Sequence, residues 1–324
     1  MSAKPTDEES NKVVTKSNKT AKRSRGRPSN KIPYDNNSNL GITNEPSDEN
    51  SRALIELIYS DSGIFKSIFD LFNKHNINIT KIIFSEEYVE IIGIIKDEDN
   101  TKLKIVDRII INCCNVCRYY CGVNKTIEMK TKDLVNITGN FDNDIGKIIL
   151  YIDSYDEDGD NLYIKFYDKS ARNYAITNIT LITSGSNIDI DCLPEISDFD
   201  VKMSMESKEL KKRVSKIYKG NQTFKLEKYG DEPLIFSHGN MRTGYELPLE
   251  NDIYNVESTL SNNDILSINV DKTLVSPFTS LSIKTKNKID IYMNKNDMII
   301  FNVFVNNRSV QISSYIDIIR NTMN

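Results

Sequence analysis

The sequence has no tryptophan, only two histidines and only five cysteines among its 324 residues. The two histidines, His75 and His238, are far apart in the chain and lie in no recognisable catalytic motif. The chain also lacks a glycine-rich phosphate-binding loop, a Gly-Lys-Ser/Thr triplet and a nucleophile elbow. These absences argue against an enzyme, and we expect neither catalytic residues nor a cofactor.

Long apolar runs are also missing, because no stretch is long enough to cross a bilayer and the N-terminus has no secretory leader pattern. With so few cysteines, this predicts an intracellular protein with reduced thiols and no membrane partner. Four cysteines, Cys113, Cys114, Cys117 and Cys121, lie in one short segment. Metal-binding pairs usually come from two separate segments, so we expect no metal there, with zinc or iron–sulfur as the alternative.

The net charge is only −4, but the charges are segregated along the chain. The stretch 206–220 predicts an amphipathic helix with Leu210, Val214, Ile217 and Tyr218 on one side. Its opposite side carries Lys208, Lys211, Lys212, Lys216 and Lys219. Such a face suits an anionic partner, although a lysine-rich helix face can also be simply a solvated surface.

Three further helices are predicted, at 61–75, at 131–138 and from Asp271 onward, and strands rich in isoleucine, valine and tyrosine follow each one. Their polar sides carry Lys66 and Lys74, Lys132, and Lys272, respectively. The second half of the chain thus restates the first, which indicates a repeated structural unit. The predicted class is α+β, with a linker that separates the two halves.

The first 51 residues have almost no apolar periodicity and are predicted to be disordered. Within them, Arg25, Gly26, Arg27 and Pro28 resemble an AT-hook. A glycine there lets the backbone enter a narrow A·T minor groove, where the flanking arginines find an enhanced negative potential. The alternative is a basic nuclear-targeting or nonspecific segment.

The chain from about residue 53 onward resembles the sliding-clamp family of the proliferating cell nuclear antigen (PCNA) type. The resemblance rests on the order and spacing of several segments: Phe84–Ile91, Phe199–Ile217, the linker ending at Glu195, and Ile289–Val305. The high content of Asn, Ile, Lys, Asp and Tyr suggests an AT-rich genome. The chain is most similar to the clamp-like proteins of large nucleocytoplasmic DNA viruses, which implies a host cytoplasmic virus factory or the nucleus.

The resemblance implies two clamp domains, at 52–184 and 198–324, joined by a linker at 185–197. Paired helices would line the inside of a ring, and antiparallel sheets would form its outside. Three copies would join through edge strands near 173–182 of one and 241–249 of the next. The expected function is a processivity factor that encircles duplex DNA and tethers replication and repair enzymes, with the nine lysines named above facing the DNA.

The family also implies a hydrophobic pocket that binds short helical peptides of DNA polymerases and other enzymes, and a clamp loader is a further candidate partner. The matching positions are Phe84, Tyr88, Val89, Ile91, Ile190, Leu193 and Ile316. The alternative for each position is an ordinary core residue. Ile316-Asp317 replaces the Ala-Pro pair of cellular clamps, which puts the peptide specificity in question.

Two other departures from the family matter. Pro277 lies within the fourth predicted helix and is expected to shorten or kink it. The N-terminal extension has no counterpart in cellular clamps and is expected to tether the ring to DNA. The second functional hypothesis is a clamp-fold DNA-binding protein that acts in viral late transcription, or that stays monomeric.

Overall fold

The computed structural model describes residues 40–96, 103–139, 145–156, 160–168, 174–182, 199–216, 223–232, 234–238, 241–244, 255–285, 288–295, 298–305 and 309–317. All of these residues belong to one compact unit, Asn37–Asn324. The predicted linker, 185–197, and the AT-hook-like segment lie outside the described residues.

The described part of the first half contains nine strands and two helices. They are β1 (Ala53–Tyr59), α1 (Ser62–Lys74), β2 (Ile79–Phe84), β3 (Tyr88–Lys96), β4 (Leu103–Asn112), β5 (Arg118–Cys121), β6 (Lys125–Lys130), α2 (Thr131–Gly139), β7 (Ile145–Asp153), β8 (Asn161–Asp168) and β9 (Tyr174–Thr180).

The described part of the second half has the same elements in the same order. They are β10 (Val201–Glu206), α3 (Ser207–Lys216), β11 (Thr223–Tyr229), β12 (Ile235–His238), β13 (Met241–Gly244), β14 (Asn255–Ser258), β15 (Ile265–Asp271), α4 (Lys272–Thr285), β16 (Lys288–Met293), β17 (Met298–Val305) and β18 (Val310–Asp317). The internal repeat predicted from the sequence is therefore present in the strand and helix order.

The strands form three antiparallel sheets. Their orders are β5-β1-β7-β8-β9, β14-β10-β16-β17-β18-β4-β3-β2-β6 and β13-β12-β11-β15. Within each half the pairings correspond: β1 pairs with β5 and β7, for example, as β10 pairs with β14 and β16. The two halves are joined where β18 pairs with β4, with Ser314 opposite Asp107.

Helix α1 shows why the sequence folds in this way. The Asp61 side chain accepts a hydrogen bond from the Gly63 amide at 3.1 Å, which caps the first turn. Ile64, Phe65 and Ile68 recur at helical spacing and are buried against the sheets. The helix ends where Asn76 takes a φ of 58°, a conformation that asparagine tolerates well.

One large core lies between the helices and the sheet faces that they cover, and it includes residues of both halves. On β3, alternation places Val89 and Ile91 toward this core. Gly93 also faces it, and a Cβ atom there would lie 2.6 Å from the Ile77 side chain. A larger residue at this position would therefore force the Ile77 side chain to shift.

Residues 40–50, here called the N-terminal arm, correct the predicted extent of the disordered tail. Ile42 bridges Tyr119 of β5 in parallel, and the Leu40 amide donates to the Cys117 carbonyl at 2.9 Å. The buried Glu56 carboxylate accepts from the Ser47 amide at 2.8 Å and from the Ser47 hydroxyl at 2.6 Å. The arm is ordered because β1 and β5 supply hydrogen bonds that its own composition does not reveal.

Pro277 was expected to shorten or kink its helix, and the helix is not shortened. Helix α4 has 14 residues and continues through Pro277 to Thr285. Pro277 is the sixth residue of the helix, so the missing N–H costs one hydrogen bond while both neighbouring turns remain helical. Phe278, directly after the proline, is fully buried, and this packing favours the helix.

Candidate nucleic-acid interface

The four helices form one row on the core side of the sheets. Helix α1 packs against α2, α3 packs against α4, and α1 also packs against α4, so the order is α2-α1-α4-α3. Each helix buries its apolar side and has at least one exposed or half-buried lysine on its polar side. The row therefore brings together lysines from four separate parts of the chain.

Helix α3 carries the densest charge. Leu210 and Val214 are buried, whereas Lys208, Lys211 and Lys212 are exposed. Glu209 lies among these lysines, but its carboxylate is 3.0 Å from Arg213 Nε and 3.7 Å from Lys212 Nζ. The acid is thus occupied within the helix, and the outer side of α3 remains positive.

The other helices contribute fewer cations. Lys74 of α1 and Lys132 of α2 are exposed, while Lys66 of α1 and Lys272 of α4 are half-buried. Partial burial lowers the pKa of Lys272, because desolvation disfavours its charged form. Asp70 and Asp133 are half-buried on α1 and α2 and reduce the local positive potential. The lysine row is therefore strongest at α3.

The structure does not describe the side chains of the two remaining predicted lysines. Lys216 ends α3, but its side chain is not among those that the structure describes, and Lys219 lies outside the described residues. The prediction of a DNA-facing role for these lysines stays a prediction. What the structure adds is that seven lysine side chains, from Lys66 to Lys272, are carried by one helical row.

The predicted peptide pocket falls mostly on the wrong side of the sheet. Phe84, Val89, Ile91 and Ile316 are at most 1% exposed and belong to the core beneath the helices. Only Tyr88, at 40% exposure, offers a surface. Ile190 and Leu193 lie outside the described residues. Alternate residues of a strand face opposite sides of its sheet, and these four side chains lie on the face that packs against the core.

A second apolar cluster, here called the outer cluster, lies on the opposite face of the nine-stranded sheet. Its buried members are Ile92, Val106, Tyr292, Ile300 and Tyr315, and its half-buried members are Ile83, Ile94, Phe199 and Met298. Apart from Phe199, which precedes β10, these residues come from strands on both sides of the β4–β18 junction. Sequence reasoning missed them because strands such as YVEIIGIIK are apolar on both faces.

The cysteine segment runs through a short 3-10 helix, Cys113–Asn115, into β5, and Cys121 is the one of its four cysteines that lies in a strand. Cys113, Cys114, Cys117 and Cys121 are all free thiols. Cys113 is buried, and this burial raises the pKa of its thiol. Across the part of the chain that the structure describes, no three His, Cys, Asp or Glu side chains are grouped in a way that could hold a metal ion.

Comparison with known proteins gives a match in structure and not in sequence. No protein-family model matches the chain, and no curated protein does. The fold matches the crystal structure of PCNA from Thermococcus kodakaraensis with a TM-score of 0.65 and 13% sequence identity, over 82% of this chain and 100% of that chain. The chain therefore has a PCNA-like clamp fold. Among the described residues, no helix is both long and apolar enough to span a membrane.

Proposed function

We propose that this protein is a DNA sliding clamp, in which copies of the chain close into a ring around duplex DNA. The observation that carries the proposal is the pairing of β4 with β18 inside the chain. By the repeated element order, β13 corresponds to β4 and β9 corresponds to β18. Both β9 and β13 are end strands of their sheets. Pairing β9 of one copy with β13 of the next would repeat the junction that already joins the halves.

The exposed side of β9 supports this pairing. Tyr174 is 59% exposed and Ile176 is 50% exposed, which is unusual for neighbouring apolar residues on one strand. An uncovered edge strand is also a liability, because its free backbone groups can pair with any extended chain. A neighbouring copy would cover both the backbone edge and the apolar side chains. Three copies are the number that the family resemblance implies.

The lysine row supplies a mechanism that needs no catalytic group. Ammonium groups that face a central channel attract phosphates without reading bases, and the attraction is sensitive to salt. The closed ring then prevents escape, while the lack of base contacts permits sliding. Lys208, Lys211 and Lys212 of α3 would contribute most, because all three are exposed and lie close together on one helix.

Native mass measurement tests ring formation. We expect a species of about three times the 37.1 kDa chain mass. Replacing Ile176→Asp should give the monomer, because it places a charge at the proposed contact, whereas Ile265→Asp should leave the trimer intact. Ile265 is 61% exposed on β15, an end strand that the proposed ring does not use, and so is the matched control. A monomeric native chain would contradict the ring and favour the monomeric DNA-binding alternative, including a role in viral transcription.

We also propose that the outer cluster is the docking site for helical peptides of replication and repair enzymes, in place of the four inward-facing residues. Its half-buried members Ile83, Ile94 and Met298 lie at the border of an apolar region that crosses the junction. Tyr88 lies on the same face of β3 as Ile92 and Ile94. An amphipathic helix buries its apolar side in a region of this kind.

A labelled peptide carrying a polymerase clamp-binding motif tests this site by fluorescence anisotropy. Ile94→Glu should weaken binding at least tenfold, because the charge would face the apolar side of the peptide. The control is Val89→Ala, which alters the core face of the same strand and should leave peptide affinity unchanged in the folded protein. Equal loss in both variants would mean that the site depends on general stability and not on the outer face.

The N-terminal segment around Arg25, Gly26, Arg27 and Pro28 is proposed as a tether that raises the local concentration of DNA near the ring. Deleting residues 1–39 should slow loading onto A·T-rich duplex without changing the mass of the ring. Unchanged loading would contradict the role of the N-terminal segment as a tether, but it would not contradict ring formation.

A further inference from the structure

His75 lies buried where the two halves of the chain meet. The residue is 3% exposed, and its side chain and that of Asp107 are both fully buried. The ring nitrogen Nδ1 lies 2.6 Å from Asp107 Oδ2, and the other nitrogen, Nε2, lies 2.9 Å from the Leu274 carbonyl oxygen. Both distances are those of good hydrogen bonds.

The two partners define the protonation state of the ring. A backbone carbonyl only accepts hydrogen bonds, and so does an ionised carboxylate. A neutral imidazole carries one N–H and can satisfy only one of them, whereas an imidazolium carries two. The second oxygen of Asp107 accepts a hydrogen bond from the Ser314 hydroxyl, which leaves Oδ2 for His75. The geometry therefore fits an imidazolium paired with a carboxylate.

These contacts join four elements across the junction. His75 directly follows α1, and Asp107 lies on β4, so the first half supplies the ion pair. Leu274 lies on α4 and Ser314 on β18, so the second half supplies the other two hydrogen-bonding groups. The β4–β18 pairing is also where the nine-stranded sheet passes from one half to the other. The protonation state of His75 thus determines hydrogen bonds to α4 in the helix row and to β4 in the sheet.

The surrounding charges favour the protonated ring. Burial by itself lowers the pKa of His75, but the Asp107 charge and the two hydrogen bonds outweigh it, and the pKa is raised. Lys74 opposes protonation from the same helix. From the neighbouring elements, β4 contributes the charge of Asp107, while α4 and β18 contribute the Leu274 carbonyl and the Ser314 hydroxyl, which do not titrate in this range.

We propose that His75 is a proton-dependent lock between the two halves of the chain. The halves are held together when the His75 side chain is an imidazolium, and their contact loosens when the side chain loses its proton. Loss of the proton removes one of the two hydrogen bonds and leaves the buried Asp107 carboxylate without its counter-charge. The contact between α1 and α4 then weakens. The lock itself is independent of the proposed function; its effect on DNA retention rests on the ring proposed above.

Nitrogen NMR of the full-length protein labelled at histidine tests the lock directly, because the chain contains only two histidines. For His75 we expect two protonated ring nitrogens at pH 7 and a titration midpoint above that of a free histidine. The amide signals of Leu274 and Ser314 should move with the same midpoint. A neutral ring with a single N–H across pH 6 to 8, or a midpoint at or below the ordinary value, would overturn the proposal.

A second measurement tests the role of His75 separately from the proposal that the protein forms a ring around DNA. Release from closed circular duplex should become several-fold faster as pH rises through the His75 midpoint, and His75→Gln should remove this pH dependence. His238→Gln, which removes the other histidine of the chain, is the control and should keep it. An imidazolium at His75 in a protein that forms no ring would contradict the proposed function alone. A neutral His75 in an intact ring would contradict the lock alone.

Discussion

The two halves share one order of strands and helices, yet they are stabilised and charged differently. In the first half, α1 packs three phenylalanines into the core, and Phe65 contacts both Tyr59 and Phe69. In the second half, α3 buries the smaller Leu210 and Val214 and exposes three lysines. Helix α1 therefore buries more aromatic surface, whereas α3 exposes more positive charge.

The largest expected difference concerns the helix cores. Replacing Phe65→Ala should lower the free energy of unfolding by about 3–5 kcal/mol, because the site is fully buried and a large cavity would remain. Replacing Val214→Ala in α3 should cost about 2 kcal/mol, since it removes only two methyl groups. Denaturant unfolding measures both variants. Equal costs at the two sites would show that the packing is shared evenly.

The first strands of the two halves provide the next contrast. Glu56 of β1 is buried and holds the N-terminal arm through Ser47, so Glu56→Ala should cost about 2–4 kcal/mol. Lys202 of β10 forms an exposed pair with Glu257 at 3.5 Å, and Lys202→Ala should cost less than about 1 kcal/mol. Proteolysis should cut residues 40–50 faster in the Glu56 variant only. An arm equally protected in both would contradict the role of Glu56.

Lysine replacements should affect DNA binding more in the second half of the chain than in the first. Replacing Lys208, Lys211, Lys212 and Lys216 by Ala should flatten the salt dependence of DNA binding by up to about 3.6 logarithmic units per decade of salt. Replacing Lys66 and Lys74 by Ala in α1 should flatten it by at most about 1.8. Anisotropy titrations at several salt concentrations measure both slopes. A larger change from the α1 pair would reverse the assignment of charge to the second half.

The junction between the halves should have its own pH dependence. Because the pKa of His75 is raised on folding, its stabilisation is present in full below about pH 6.5, the unfolded value, and is lost as pH rises through the folded pKa. The wild-type protein should therefore lose more stability than His75→Gln between pH 6 and pH 9. Parallel curves for the two proteins would exclude a contribution from this residue.

Local patterns in the sequence predicted most of the strands and helices. The observed bounds of α1 and α2 lie within one residue of the predicted ranges 61–75 and 131–138, because their apolar residues recur at helical spacing. Strand β5 was missed, since RYYC is short and pairs with β1 and with the N-terminal arm, which are distant in sequence. The same applies to the arm, because Glu56 accepts hydrogen bonds from Ser47, and Arg118 donates hydrogen bonds to the carbonyl oxygens of Glu45 and Pro46.

The candidate sites were predicted less well than the elements that carry them. The lysine faces could be found because helical periodicity assigns each residue to a side. The proposed peptide site could not be found in this way, because β3 and its neighbours are apolar on both faces. Periodicity then does not distinguish the face of the sheet that covers the core from the opposite face. His75 lies in no recognisable sequence motif, and its contacts with Asp107 and Leu274 depend on the folding together of segments that are distant in sequence.

The most direct test of the central claim is retention of the protein on circular and linear duplex DNA of the same sequence, after transfer to moderate salt. We expect the protein to stay on the closed circle and to slide off the linear form, and we expect one cut in the circle to release it. Equal retention on both forms would contradict the account, because it would show that charge alone holds the DNA and that no ring surrounds it.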